Sequence, residues 1–259
     1  MLLQPNLMNY LLLMLSIDLN CDMGEGMVTD TQLMPYISSA NIACGFHAGD
    51  EQTMCQTVAL CLQHGVAIGA HPGFKDKTNF GRKPIPLSEM ELFEWIQQQI
   101  DALQQICTAM GAALHHIKLH GALYNMASAD ADLAGMVAKI IHTLYPHLLV
   151  YALSGSYLIA ACKALGLRTA SEVFADRTYQ DNGQLTPRTE ANALIETTAA
   201  ALQQVLEMVQ NKQVTTVSGK KITIAADTLC LHGDGAHAVD FAKKIHHILK
   251  QKGIGIQTL

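Results

Sequence analysis

Residues 17–26 read IDLNCDMGEG, directly after the apolar LLLMLS of residues 11–16. Side chains alternate along a strand, so Asp18, Asn20 and Asp22 share one face and Ile17, Leu19 and Cys21 the other. Three polar groups on one face suit a solvated sheet. They also suit the inner wall of a barrel, where they reach a shared hollow. The stretch ends with Glu25 between Gly24 and Gly26, a turn composition. The rest of the chain decides between the two readings.

The same order recurs: apolar strand, polar tip, helix. SSANIACGFHAGD (38–50) is a second strand tipped by His47 and Asp50, with a helix over about 51–64. GVAIGAHPGF (65–74) is a third strand, tipped by His71. The segment 88–111 is amphipathic, with Ser88 and Glu91 at capping-box spacing and Gly111 as a stop. HHIKLHGALYN (115–125) reads as a fourth strand with His116, Lys118 and His120 on one face. A helix over about 130–144 leads to a fifth strand in 147–155, and LRTASEVFADR (167–177) is a sixth. A helix over 189–210, a small hairpin, a last strand tipped by His232 and Asp234, and a helix to about 252 complete the series.

Strands alternating with helices predict parallel βαβ units. About seven units in series predict an α/β fold, a TIM-like (β/α)7 barrel that is closed, distorted or incomplete. The alternative is an open doubly wound sheet, although no Gly-rich dinucleotide fingerprint follows the first strand. Residues 1–13 read as an N-terminal extension, with Met14 as an alternative start and 14–259 as a single barrel domain.

The bulk numbers narrow the function classes. The chain has 259 residues, a net charge of −5 and 49% hydrophobic residues. No basic stripe appears, which argues against nucleic acid. The apolar start is shorter than a membrane span of ~20 residues and lacks the charged flank and cleavage site of a signal peptide. The seven cysteines form no C-x-x-C pair. They fit a reduced, cytoplasmic compartment with thiols used as small hydrophobes.

In such barrels the active site lies at the carboxyl ends of the strands. A lysine pointing inward, Lys118, requires a carboxylate such as Asp18 or Asp22. A single histidine near a strand end is more often structural. Four of them (His47, His71, His120 and His232), each at its own strand end and beside carboxylates, point to a site. No G-x-x-x-x-G-K-[ST] loop occurs, so a nucleotide must bind by another route or on another chain.

Six motifs together carry a resemblance: IDLNCDMGEG, SANIACGFHAGD, IGAHPGF with NFGR, IKLHGALYN, EVFADRTYQDNGQLTPR and CLHGDGAH. Over about residues 15–252 the chain resembles the LamB/YcsF family. Residues 1–13 depart from it. The resemblance implies a barrel related to the glycoside hydrolase and metal-dependent deacetylase superfamily. It also implies hydrolytic opening of 5-oxo-L-proline (pyroglutamate) to L-glutamate, coupled to ATP hydrolysis, with 5-oxoprolinase subunits B and C as partners.

Opening a lactam needs an activated water, a stabilised oxyanion and a proton for the ring nitrogen. The residues then take expected roles. Asp22 or Asp18 orients the water, Lys118 stabilises negative charge, and His120 moves protons. His47 and His71 bind substrate, and Asn20, Asn41, Asp176, Arg177, His232 and Asp234 complete the pocket. Arg82, Arg177 or Arg188 holds the substrate carboxylate. A divalent metal on Asp22, His47 and His71 is an open expectation, opposed by the nearby ammonium of Lys118. Two rival readings are a stand-alone metal-dependent amidase or deacetylase and a lactam-binding module serving a catalytic partner.

Overall fold

A computed structural model describes residues 15–231 and 238–259. Thus the N-terminal extension and the tip residues His232 and Asp234 lie outside the described residues. β1 (Ser16–Met23), β2 (Ser39–Ala43), β3 (Ala67–His71), β4 (Leu114–Lys118), β5 (Leu149–Leu153), β6 (Thr169–Phe174) and β9 (Thr228–Leu231) pair in parallel in that order. β9 also pairs with β1, through Asp18 opposite Thr228 and Asn20 opposite Cys230, so seven strands close into a barrel. The closure excludes the open sheet. A short β10 (Gly255–Ile256) adds to the start of β1.

The helices lie between the strands: α1 (Asp30–Leu33), α2 (Glu51–His64), α3 (Glu89–Ala109), α4 (Gly121–Ala129), α5 (Ala131–Leu144), α6 (Tyr157–Ala164), α7 (Thr198–Asn211) and α8 (Ala238–Gln251). A hairpin of β7 (Gln213–Thr215) and β8 (Lys221–Thr223) precedes β9. α3 carries the expected capping box, with Ser88 and Glu91 bonded reciprocally. Each strand's outer residues, such as Leu19, Ile42, Ile117 and Val173, join one large apolar core with the helices. Many inner positions are polar: Asp18, Asn20, Ser39, Asn41, His116, Lys118, Glu172 and Thr228 are all buried, with Leu149, Tyr151 and Ala170 as a small apolar cluster among them. That differs from the branched apolar filling usual inside such barrels. The alternation in residues 17–26 marks this inner wall.

Four segments differ from expectation. The fourth strand stops at Lys118, and His120 instead precedes α4, because Gly121 takes a positive φ of 55° and turns the chain into a helix. The helix expected over 189–210 begins only at Thr198. Ala193 and Ile195 commit their backbone to Thr178 and Asp176, which holds 189–197 against the preceding loop instead. α6 and the short α1 add to the helices that the sequence pattern predicts.

Candidate active site

The carboxyl ends of the strands open into a cavity of about 690 Å3. Its floor includes Asp22, Glu25, His71, Lys118 and His120, and its wall includes Arg82, Tyr124, Phe174, Arg177 and Arg188. The loop after β6 supplies much of the wall, from Gln180 to Thr189.

Lys118 sits at the centre of the floor. Its ammonium donates to Asp22 Oδ1 at 2.8 Å, Asn20 Oδ1 at 3.2 Å and Cys230 Sγ at 3.2 Å. All three protons are then committed. Glu172 Oε1 lies 2.9 Å from the same nitrogen, so that contact is Coulombic rather than an aligned hydrogen bond. Both Glu172 oxygens and the Tyr124 hydroxyl are buried without an aligned hydrogen-bond partner among the described residues. Burial opposes the Lys118 charge, but the carboxylates of Asp22 and Glu172 outweigh it and hold its pKa well above the usual lysine value. Lys118 stays an ammonium.

Beside it, three imidazoles meet a carboxylate. Gly24 and Gly26 adopt positive φ of 69° and 87°, and Gly24 N–H donates to Asp30, so the turn carries Glu25 back over the mouth. Glu25 Oε1 lies 3.3 Å from His47 Nε2, 3.5 Å from His120 Nδ1 and 4.0 Å from His71 Nε2. One ligating atom from each of the four residues falls within 4.8 Å of the others.

Backbone carbonyls fix two of the tautomers. His71 Nδ1–H donates to the Lys118 carbonyl at 2.8 Å, and His120 Nε2–H donates to the Phe80 carbonyl at 2.9 Å. In neutral rings this leaves His71 Nε2 and His120 Nδ1 as lone pairs, and these face each other at 2.9 Å. Burial first, and then the neighbouring His71, push His47 down to about 3. Burial, His71 and His47 push His120 down as well. Opposed lone pairs, in a cluster where two rings resist a proton, fit a cation between them. The residues therefore suit a divalent metal, held by Glu25, His47, His71 and His120. His47 and His71 belong to the expected ligand set. Asp22 stands beside the cluster, with Oδ2 3.3 Å from His71 Nε2, and Glu25 and His120 complete it.

Other residues fall elsewhere. Asp18 is buried near the amino ends of the strands, four residues before Asp22 and so ~13 Å down the barrel. Ser38, Ser39 and Thr228 each donate to it at 2.6 Å. It cannot meet a substrate there, nor does it pair with Lys118. Asn20 and Asn41 are likewise buried, below the cavity floor. Arg177 spends its guanidinium on the carbonyls of Thr186 and Ala193, bracing its own loop. Burial first, and next Arg188, lower its pKa to about 10, and both arginines line this wall. Arg82 also lines the cavity, over the Phe80 ring at 5.0 Å. Asp176 lies outside the lining. Sequence reasoning gave Glu172 no role, although Ala170, Glu172 and Phe174 alternate on one face of β6. The thiols of Cys44 and Cys230 are held protonated by burial, Cys44 at about 12.

Known proteins place this site in context. Residues 17–259 match the model of the LamB/YcsF family. A protein of Tolumonas auensis, named as the A subunit of 5-oxoprolinase, is 50% identical over 95% of this chain and 100% of its own length. A Shouchella clausii protein of the same name is 53% identical over 94% of this chain and 98% of its own. The crystal structure of a lactam utilization protein from Thermus thermophilus superposes with a TM-score of 0.88 at 36% identity, over 94% and 100% of the two chains. A Bacillus subtilis peptidoglycan deacetylase, PdaC, shares the fold at a TM-score of 0.51 and 12% identity, over 99% and 90% of the two chains. The chain belongs to the LamB/YcsF family.

Proposed function

We propose that this chain is the ring-opening component of an ATP-dependent 5-oxoprolinase, which hydrolyses 5-oxo-L-proline to L-glutamate. The carrying observation is the joint floor of one cavity: an Asp22–Lys118 pair beside a Glu25–triple-histidine cluster. The relatives named as 5-oxoprolinase A subunits, about half identical over nearly the whole chain, supply the substrate class. Subunits B and C are the proposed partners, and ATP activates the lactam within the complex. Seven free cysteines suit a cytoplasmic assembly.

The residues divide the work. Arg188 and Arg82, on the wall, hold the substrate carboxylate. Asp22 Oδ2 orients the attacking water, takes its proton and returns it to the ring nitrogen as the C–N bond breaks. The Lys118 ammonium, already charged and fixed, stabilises negative charge as it develops on the lactam oxygen. A divalent metal on the Glu25–histidine cluster would supply Lewis-acid polarisation of a bound oxygen.

Glutamate release from 5-oxoproline tests this directly, with the chain alone and with ATP and both partner subunits. Release only with ATP and partners is expected. The histidine cluster supports a second reading, a stand-alone metal-dependent amidase. That reading requires release by the chain alone, abolished by chelator. Binding of 5-oxoproline with no release in any mixture would leave only a lactam-binding module.

A further inference from the structure

The polar filling of the barrel has a direction. The Lys118 ammonium can only donate, so the Asn20 atom facing it is Oδ1. Asn20 Nδ2 must then face Thr228 Oγ1, to which it donates at 2.7 Å. The Thr228 hydroxyl, having accepted, donates onward to Asp18 Oδ2, and a carboxylate can only accept. An ammonium at one end and a carboxylate at the other thus enforce one polarity along the chain of bonds.

Asn41 joins this chain from the side. It donates both amide hydrogens at 2.8 Å, one to Asn20 Oδ1 and one to Asp22 Oδ1. Its own Oδ1 accepts from His116 Nε2 at 2.8 Å, which leaves His116 Nδ1 as the acceptor facing His115 Nδ1 at 3.2 Å. His116 lies flat against Tyr151, ring centroids 4.0 Å apart, and occupies the space left by Gly69, where an added Cβ would collide with the imidazole. Nothing larger than glycine fits there. Asp22 Oδ1 therefore receives two donors, Asn41 and Lys118, while Oδ2 is turned toward the histidine cluster.

We propose that His116 and Asn41 are positioning residues that fix which oxygen of Asp22 faces the cavity, with Asp18 as the far anchor of their network. The assignment rests on the proposed role of Asp22. None of these residues touches the cavity, so they act through Asp22 alone. Rotating a catalytic carboxylate out of its working geometry costs on the order of 100-fold.

Three variants in the complex with both partner subunits test it. Asn41→Asp keeps the shape and puts an oxygen against Asn20 Oδ1 and Asp22 Oδ1. It should lower kcat by about 100-fold and change KM by less than about threefold. His116→Gln retains an N–H for Asn41 and should keep kcat within about fivefold, whereas His116→Leu should lose roughly as much as Asn41→Asp. Equal loss in both His116 variants would reduce the residue to packing and overturn the proposal. So would a folded Asn41→Asp protein with wild-type kcat.

Nitrogen NMR of the wild-type chain needs neither a folded variant nor a reaction. The network requires the proton of His116 on Nε2, and a proton on Nδ1 alone overturns it. Failure of the wild-type complex to release glutamate would sink the proposed function and leave this tautomer measurement standing.

Discussion

Lys118 divides one charge between the buried carboxylate of Glu172 and that of Asp22 on the cavity floor, and this has consequences for both stability and rate. Removing the ammonium leaves the buried Glu172 uncompensated beside Asp22, which costs about 3–5 kcal/mol. Lys118→Met should therefore lower the urea midpoint by that equivalent. Adding Glu172→Gln should recover part of the loss, since one of the two stranded charges is gone. A double variant no more stable than the single one would mean that Glu172 carries no charge. Turnover should fall by roughly 10²- to 10⁴-fold in both, because neither restores a cation beside the reacting oxygen.

At the same scale, the opposed lone pairs of His71 and His120 make a prediction about metal content. The purified wild-type chain should carry about one divalent ion, and His120→Asn should lose most of it by elemental analysis, since each ligand and its hydrogen-bonded support contributes about 10- to 100-fold in affinity. A wild-type chain that takes up no metal from a buffered titration would remove the cluster from the chemistry.

Among the elements, the loop after β6 matters most to the cavity. It carries Arg177 and Arg188, and the β7–β8 hairpin braces it: Thr216 and Ser218 donate to Asp181 at 2.5 and 2.7 Å. Val217 N–H also donates to the Tyr179 carbonyl. Asp181→Ala frees the loop without touching the floor. KM for 5-oxoproline should rise about fivefold, with kcat nearly unchanged. A fall in kcat alone would place the loop in the chemical step.

This loop is also the least legible stretch of sequence. The composition of 189–197 suits a helix, and only its long-range pairing with 176–178 overrides that preference. The barrel strands are legible because a period of two carries its signal locally. Asp18, Asn20 and Asp22 do share an inner wall, as do His116 and Lys118. What alternation could not show is depth. Asp18 and Asp22 look alike in the sequence, yet one lies at the closed end and the other at the open end. Glu25 and His120 lie in turns, where no period applies: no sequence pattern singles out Glu25, and His120 reads from sequence as a carrier of protons.

Across the whole molecule, a polar barrel interior links stability to pH. Burial above all, with His115 and Lys118 next, holds the His116 pKa well below the ordinary histidine value, so the folded protein keeps the ring neutral. The unfolded chain binds a proton there as pH falls through about 6.5, and the folded chain does not. The stability due to the neutral ring is thus complete above that value and is lost below it, by about 1.4 kcal/mol per pH unit. Other buried groups titrate in the same window, so the difference between wild type and His116→Gln isolates this residue. Urea unfolding at pH 7.5, 6.5 and 5.5 should show the wild type losing about 1 kcal/mol more than the variant over the last step. Asp50, Glu91 and Asp181, whose pKa values are lowered by hydrogen bonds, lose their contribution only near pH 4 and below, and do not blur the reading. Parallel loss in both proteins would mean that the folded barrel admits a proton at His116. In that case the ring would become a double donor, and Asn41 would keep its orientation in acid as well as at neutral pH.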